Sequence, residues 1–537
     1  MLFNSYIFIL FMLPLTVIVY YGLNYVTCGI KEENESTNNV SGSLATLKNK
    51  RFSLCKQHTI KPGLWWLFLM SLWFYGYFNP SYIILILGSI IFNFFLTKGM
   101  DIIHKKQELQ GKSLILKVLL ILGLLFNLGL LFYFKYIDFF IENMNLMLKG
   151  DWTTLNILLP LGISFFTFQQ VSYVIDSYGQ KIKTQYHFIE YATFVSFFPQ
   201  LVAGPIVLHS ELIPQLQDTK KKTFDYDNFA KGLYSFAMGL GKKVLLADTL
   251  SKIVAVGYLE MWNLNTLSVW VIMLSYTLQL YFDFSGYCDM AMGIGWMFNI
   301  KLPQNFFSPY KAKSISEFWK RWHITLTRFF TTYVYIPLGG NRKGNIRKYC
   351  NTLVVFFLSG LWHGANWTFV LWGVLHGSVL TIEKIAKDYI KVSKKIPFFI
   401  KKIAVGCYAI ITFYLINVGF VIFRSETIEE AKFIISKLWI PNQGMIFEDI
   451  TDLVNDFIEI RCIMRIGAVS TLVERLPYLP VVIILMTMLG FVFLGKNTEE
   501  KVGFDTFGIK RSLFTILILV WCVVSLSDVS EFLYFNF

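Results

Sequence analysis

Runs of mostly apolar residues, each near the length of about 20 that a bilayer-crossing helix needs, recur along this chain. After an opening run that ends at Val26, they fall at roughly 62–78, 81–97, 114–134, 155–175, 231–247, 267–284, 352–372, 403–423, 479–495 and 513–529. No other feature constrains the fold so strongly, because backbone polar groups inside hydrocarbon must be satisfied within the protein, as helices do within themselves. Composition agrees. Of 537 residues, 55% are hydrophobic and 16% charged, against about 45–50% and about 25% in ordinary soluble domains. A soluble globular chain and a disordered one are both excluded. The expected fold class is all-α: a polytopic membrane protein with about eleven transmembrane helices. The stretches 187–208 and 286–300 are apolar but broken by Pro or Gly. They are expected as re-entrant or short helices, which survive at membrane depth only inside protein or beside water.

Charge gives an orientation. Lys and Arg exceed Asp and Glu by 14. With no recognition module or basic stripe, that excess points to cytoplasmic loops rather than nucleic acid. Segments 31–61, 98–112 and 384–402 are basic, whereas 425–478 carries Glu426, Glu429, Glu430, Glu448, Asp449, Asp452, Asp456 and Glu459. The positive-inside rule puts the three basic loops in the cytoplasm and the acidic segment outside, and both chain ends then fall outside. The opening run lacks a basic start and a small-residue cleavage site, so it reads as a retained helix. The expected organisation is one membrane-embedded domain over 1–537. Within it lie a polar cytoplasmic loop at 31–61, an acidic extracytoplasmic segment at 425–478 and an extracytoplasmic aromatic tail at 530–537. The seven cysteines are scattered with no C-x-x-C pair, so no zinc ribbon or redox motif is indicated.

Several catalytic signatures are absent. There is no G-x-S-x-G elbow, no Walker A loop and no H-E-x-x-H, and no close His/Cys cluster offers a metal site. Two of the seven histidines stand out. His363 lies between Gly360 and Gly364 in an apolar run, and His323 lies in Phe318-Trp319-Lys320-Arg321-Trp322-His323. An ionisable residue at membrane depth is a functional candidate by default, and imidazole accepts protons near neutral pH. Each also has a plainer reading. His363 serves equally as a hydrogen-bonding link between helices, and 316–328 equally forms an amphipathic interfacial helix facing headgroups. His376 reads as packing.

The motifs Phe318-Trp319-Lys320-Arg321-Trp322-His323-Ile324-Thr325-Leu326, Tyr335-Ile336-Pro337-Leu338-Gly339-Gly340-Asn341-Arg342 and Gly360-Leu361-Trp362-His363-Gly364-Ala365-Asn366-Trp367 carry a resemblance. Tyr281-Phe282-Asp283-Phe284-Ser285-Gly286-Tyr287, Gln200-Leu201-Val202-Ala203-Gly204-Pro205-Ile206 and Gly419-Phe420-Val421-Ile422-Phe423-Arg424 support it. The sequence resembles the membrane-bound O-acyltransferases, in the branch of the alginate O-acetyltransferase membrane subunit. The resemblance implies helices ringed around a central passage, with His363 as the signature catalytic residue and His323 near it. It implies a cytoplasmic acyl donor, here acetyl-CoA, and no metal. It also implies an extracytoplasmic partner, often of the SGNH type, that completes transfer to a polysaccharide acceptor. The expected setting is a bacterial cytoplasmic (inner) membrane, among its lipids. D-alanyl transfer to teichoic acid is the neighbouring alternative, and a lipid or sugar transporter without chemistry is the alternative from another class.

Acyl transfer needs a base for a hydroxyl proton and donors for the oxyanion. His363 suits the base. His323, Asn366, Trp362 or backbone N–H groups suit the donors, and Asp283 suits either orienting a histidine or a structural pair. Arg342, Lys343, Arg347 and Lys348 suit coenzyme A phosphates or anionic headgroups, the headgroups being favoured. An acyl group that crosses the membrane must ride on something, and a protein hydroxyl would hold it as an ester. Tyr534, in Phe532-Leu533-Tyr534-Phe535-Asn536-Phe537, is the candidate carrier. The pattern is similar to the aromatic C-terminal motif of the small protein that accompanies teichoic-acid D-alanylation. An interfacial aromatic belt is the plainer reading.

Overall fold

The computed structural model describes residues 1–36, 61–107, 114–182, 186–390, 397–440, 465–467, 471, 475, 479–503, 508–526 and 532–533. Much of the polar loop 31–61, much of the acidic segment 425–478 and Tyr534 lie outside the described residues, as do Lys391 and Asp452, two markers of the charge argument. Among the described residues the secondary structure is helical, without strands. Six helices among the described residues are long and apolar enough to cross a membrane: Phe8–Thr27, Ser81–Lys105, Leu114–Leu148, Thr266–Met297, Trp367–Tyr389 and Phe398–Arg424. Four of the other expected spans appear as shorter helices, Pro62–Gly76, Tyr226–Gly241, Leu479–Leu494 and Ile509–Val524. The 155–175 run is helical only from Ile163, within Ile163–Tyr178.

The same apolar composition serves opposite surroundings. Only 22% of the apolar window in Leu114–Leu148 is buried, against 83% in Thr266–Met297. Ile115, Val118, Ile121, Leu122, Leu125 and Leu128 are exposed, as a lipid-facing helix requires. Thr266–Met297 corrects one expectation. Its glycines do not break it at 286–300; they let another helix approach. A Cβ on Gly286 would lie 2.8 Å from the Gly239 carbonyl oxygen, and one on Gly293 would lie 2.6 Å from that of Gly232. Small residues at helix contacts are how membrane helices pack closely. The stretch 187–208 is broken as expected, into Phe188–Ser196 and the single turn Phe198–Leu201.

By contact the chain divides into two units. The first comprises Met1–Met238, Tyr287–Pro303 and Asp505–Leu526. Inside it, amides link apolar helices. Asn93 and Asn127 exchange hydrogen bonds at 3.1 and 2.7 Å, Asn93 donates to Gln170 at 2.6 Å, and Gln170 donates to Ser89 at 2.8 Å. A buried amide left without a partner costs about 1–3 kcal/mol, so the set has to close on itself. This unit also holds His209. Its Nε2 faces Asp176 Oδ2 at 3.2 Å, its Nδ1 faces the Tyr186 hydroxyl at 3.1 Å, and Lys181 pairs with the other Asp176 oxygen at 2.8 Å.

The second unit comprises Gly239–Gly286, Gln304–Phe504 and Ser527–Phe537. Its centre is the helix pair Asn345–His363 and Trp367–Tyr389. A Cβ on Gly360 would collide with the Phe369 carbonyl, and one on Gly373 with that of Phe356. Helix Phe398–Arg424 packs beside the pair, where a Cβ on Gly419 would strike the His376 ring.

Candidate active site

The window 352–372 is not one span. Helix Asn345–His363 ends at His363, Gly364 is extended at φ −163°, and a new helix starts at Trp367. Asn366 caps that helix, accepting from the Thr368 N–H at 3.1 Å and donating to the Glu426 carbonyl at 2.9 Å. The amide oxygen and one N–H of Asn366 thus hold the corner. The corner sets His363 at a buried helix end, with its side chain among aromatic rings.

The segment 316–328 is likewise not one interfacial helix. Ile315–Trp319 and Ile324–Phe330 are separate, and between them His323 takes the left-handed conformation at φ 45°, ψ 52°. Phe318, Trp319, Trp322 and His323 are buried, while Lys320 between them is exposed and Arg321 and Arg328 are part-exposed. Left-handed backbone is uncommon outside glycine, and here it turns the imidazole inward as the second helix starts.

These two bends bring the histidines together. Their ring centroids are 6.3 Å apart, with the Trp362 ring 5.9 Å from His323 and 5.0 Å from His363. Phe284 lies edge-on to His323 at 4.9 Å, and Trp372 and Phe423 pack on His363 at 5.0 and 5.2 Å. His323 is 1% exposed and His363 4%. Water is largely excluded from such a pocket, which strengthens every hydrogen bond and charge inside it.

Asn305 fixes the state of His323. One Asn305 side-chain atom receives the Thr325 N–H at 3.2 Å and the Thr325 hydroxyl at 2.9 Å, and His323 Nδ1 lies 3.1 Å from it. An atom that accepts from a backbone N–H is the amide oxygen. Nδ1 therefore carries the proton as the donor, and in the neutral ring Nε2 keeps the lone pair. The Asn305 carbonyl also accepts from the Ile324 N–H at 3.0 Å, so the same residue holds the bend and selects the tautomer.

Asp283 does not orient a histidine. One oxygen pairs with Lys243 at 2.8 Å, and the other accepts the Leu533 N–H at 2.9 Å. The Trp362 ring stands beside both histidines. His376 is buried between Trp319 and Trp372, at 5.2 and 5.0 Å. Gly339 and Gly340, at φ 108° and 53°, form the turn expected there. Behind it Arg342, Lys343 and Arg347 are exposed, and Lys348 pairs with Asp388. Asn305, Phe284, Trp372, Phe423 and Lys243 were not singled out from sequence. Among the described residues no group of three or more His, Cys, Asp or Glu is placed to hold a metal.

Comparison with known proteins agrees with this geometry. The family model described as MBOAT, membrane-bound O-acyltransferase family, matches residues 84–423, a range that contains both histidines, Asn305 and Asp283. The chain is 45% identical over 390 residues to a peptidoglycan O-acetyltransferase of Helicobacter pylori, covering 68% of this chain and 72% of that one. It is 37% identical over 369 residues to the probable alginate O-acetylase AlgI of Pseudomonas aeruginosa, covering 68% and 67%. A teichoic acid D-alanyltransferase of Bacillus subtilis is 26% identical over 278 residues, covering 50% and 70%. The chain thus belongs to the membrane-bound O-acyltransferase family.

Proposed function

We propose that the protein takes acetyl groups from acetyl-CoA on the cytoplasmic side of a bacterial cytoplasmic membrane and supplies them for O-acetylation of an exported or cell-surface polysaccharide. The observation that carries this reading is the pair of buried imidazoles with ring centroids 6.3 Å apart. His363 takes the proton of an acceptor hydroxyl as its oxygen attacks the thioester carbonyl. The tetrahedral intermediate collapses, the C–S bond breaks, and the proton passes to the departing thiolate. His323, with its tautomer set by Asn305, accepts the hydroxyl's O–H on Nε2 as the acceptor enters, and the hydroxyl turns that single proton to His363 as it attacks. The names of the relatives support acetyl over D-alanyl transfer, since the two O-acetyl relatives are 45% and 37% identical and the D-alanyl relative 26%.

The acceptor hydroxyl at this step is that of Tyr534, which holds the acetyl group as an ester. An extracytoplasmic protein of the SGNH type then moves it to a polysaccharide hydroxyl. Purified protein given labelled acetyl-CoA is expected to release coenzyme A and to gain one acetyl ester in its C-terminal peptide, read by mass spectrometry. A transporter without chemistry would bind or move its cargo and leave the thioester intact. An unmodified peptide, together with full polysaccharide acetylation by Tyr534→Phe, would remove Tyr534 from the carrier role.

A further inference from the structure

One short segment reaches the neighbourhood of His323 from far along the sequence. The Leu533 N–H donates to Asp283 Oδ2 at 2.9 Å, across a separation of 250 residues. Phe532 beside it is 2% exposed, its ring lies 5.9 Å from that of Phe284, and the Phe284 ring lies 4.9 Å from His323. Asp283 is itself held. Its Oδ1 pairs with Lys243 at 2.8 Å, and Lys243 pairs with Asp248 at 2.9 Å. All three side chains are buried, at 2%, 4% and 9% exposure.

The local backbone explains the arrangement. Lys242–Ala247 is wound as a π-helix, and the Asp248 N–H bonds the Lys243 carbonyl five residues back. This wider turn sets Asp248 over Lys243, and single wide turns of this kind concentrate at functional sites. Stability alone gives a weak reason for such a chain of charges, since packed apolar side chains of similar volume often serve as well or better. A buried carboxylate with one oxygen fixed by a lysine and the other given to the backbone of a distant segment has the form of a clasp.

We propose that Asp283, fixed by Lys243 and Asp248, is a positioning residue that clasps Phe532–Leu533 beside His323 and so tethers the chain one residue before Tyr534. Its catalytic consequence rests on the carrier reading above; the clasp itself does not. Asp283 touches no reacting atom. It acts by cutting the freedom of the carrier, and a misplacement of about 1 Å in a reacting group can cost about 100-fold in rate.

Leu533→Pro removes the one N–H that Asp283 receives and leaves the buried ion pairs alone, and Asp283→Ala removes the clasp from the other side. Each is placed in a cysteine-free background carrying Phe532→Cys, at a position that is 2% exposed, and treated with a membrane-impermeant thiol reagent. Both variants are expected to label several-fold faster than the parent. Both are expected to form the Tyr534 ester about 10–100-fold more slowly, with the KM for acetyl-CoA unchanged. Asp283→Asn, which keeps an acceptor oxygen, is expected to lose less. Unchanged labelling in a folded Leu533→Pro protein overturns the clasp whether or not Asp283→Ala folds. Faster labelling in a background where Tyr534→Phe still supports full acetylation keeps the clasp and removes the carrier instead.

Discussion

Two buried histidines in this molecule meet opposite fates, and the contrast separates structure from chemistry. His209 is 2% exposed, and each of its nitrogens has a polar partner, Asp176 at 3.2 Å and the Tyr186 hydroxyl at 3.1 Å. The carboxylate accepts, so Nε2 carries the proton and Nδ1 accepts from the tyrosine. Lys181 holds the carboxylate in turn. Every member has its place, as in a cross-link between helix ends. His323 is as deeply buried, at 1% exposure, but it spends Nδ1 on a neutral amide oxygen and lies among the rings of Phe284, Trp362 and His363. Burial alone therefore does not mark a catalytic histidine in a membrane protein. The difference seen here is a tautomer set by a neutral amide oxygen and a second imidazole 6.3 Å away.

The comparison breaks at several points if it is wrong, and after the base His363 itself the largest expected effect is at His323. His323→Ala should lower acetyl transfer by about 10²–10⁴-fold, the usual worth of a positioned proton-handling group, with helical content unchanged by circular dichroism. Full activity in that variant would move His323 to the structural side of the contrast. His209→Phe should do the reverse. It leaves Asp176 and Tyr186 short of a partner at a cost of about 1–3 kcal/mol, seen as a lower melting temperature in detergent. The rate per folded molecule should stay near that of the parent protein, and a large loss of turnover without loss of stability would make His209 part of the chemistry. The smallest effect is at Asn305. Asn305→Leu frees His323 to change tautomer and should cost about tenfold, because one hydrogen bond of about 1 kcal/mol selects the ring's state. Asn305→Asp keeps an acceptor for Nδ1 and should lose less, which a simple packing role for Asn305 would not give.

Much of the fold was legible in the apolar runs, because hydrocarbon leaves the backbone few options. The misreadings are instructive. Gly286 and Gly293 looked like breaks, yet they lie in the continuous helix Thr266–Met297 as points of close approach, and nothing local tells one use of glycine from the other. The corner after His363 did carry a local signal, since Asn366 precedes an apolar run in the position of a helix cap. From sequence Asn366 was weighed only as an oxyanion donor, and this cap was not read. The pairing of His323 with His363 was expected from the resemblance. The bend that achieves it was not, because His323 adopts left-handed backbone only with Asn305 holding the turn from 18 residues upstream. Asp283 stood out as a carboxylate near the end of a span, but its partners Lys243 and Leu533 come from distant positions that no spacing relates.

The central claim is that His363 is the base of the transfer, and its most direct test is single-turnover acetyl transfer by purified His363→Ala beside His209→Phe, both at matched folded concentration. A loss of about 10²–10⁴-fold in His363→Ala, with His209→Phe close to the parent protein, is the expected result. His363→Ala activity within threefold of the parent protein would contradict the assignment.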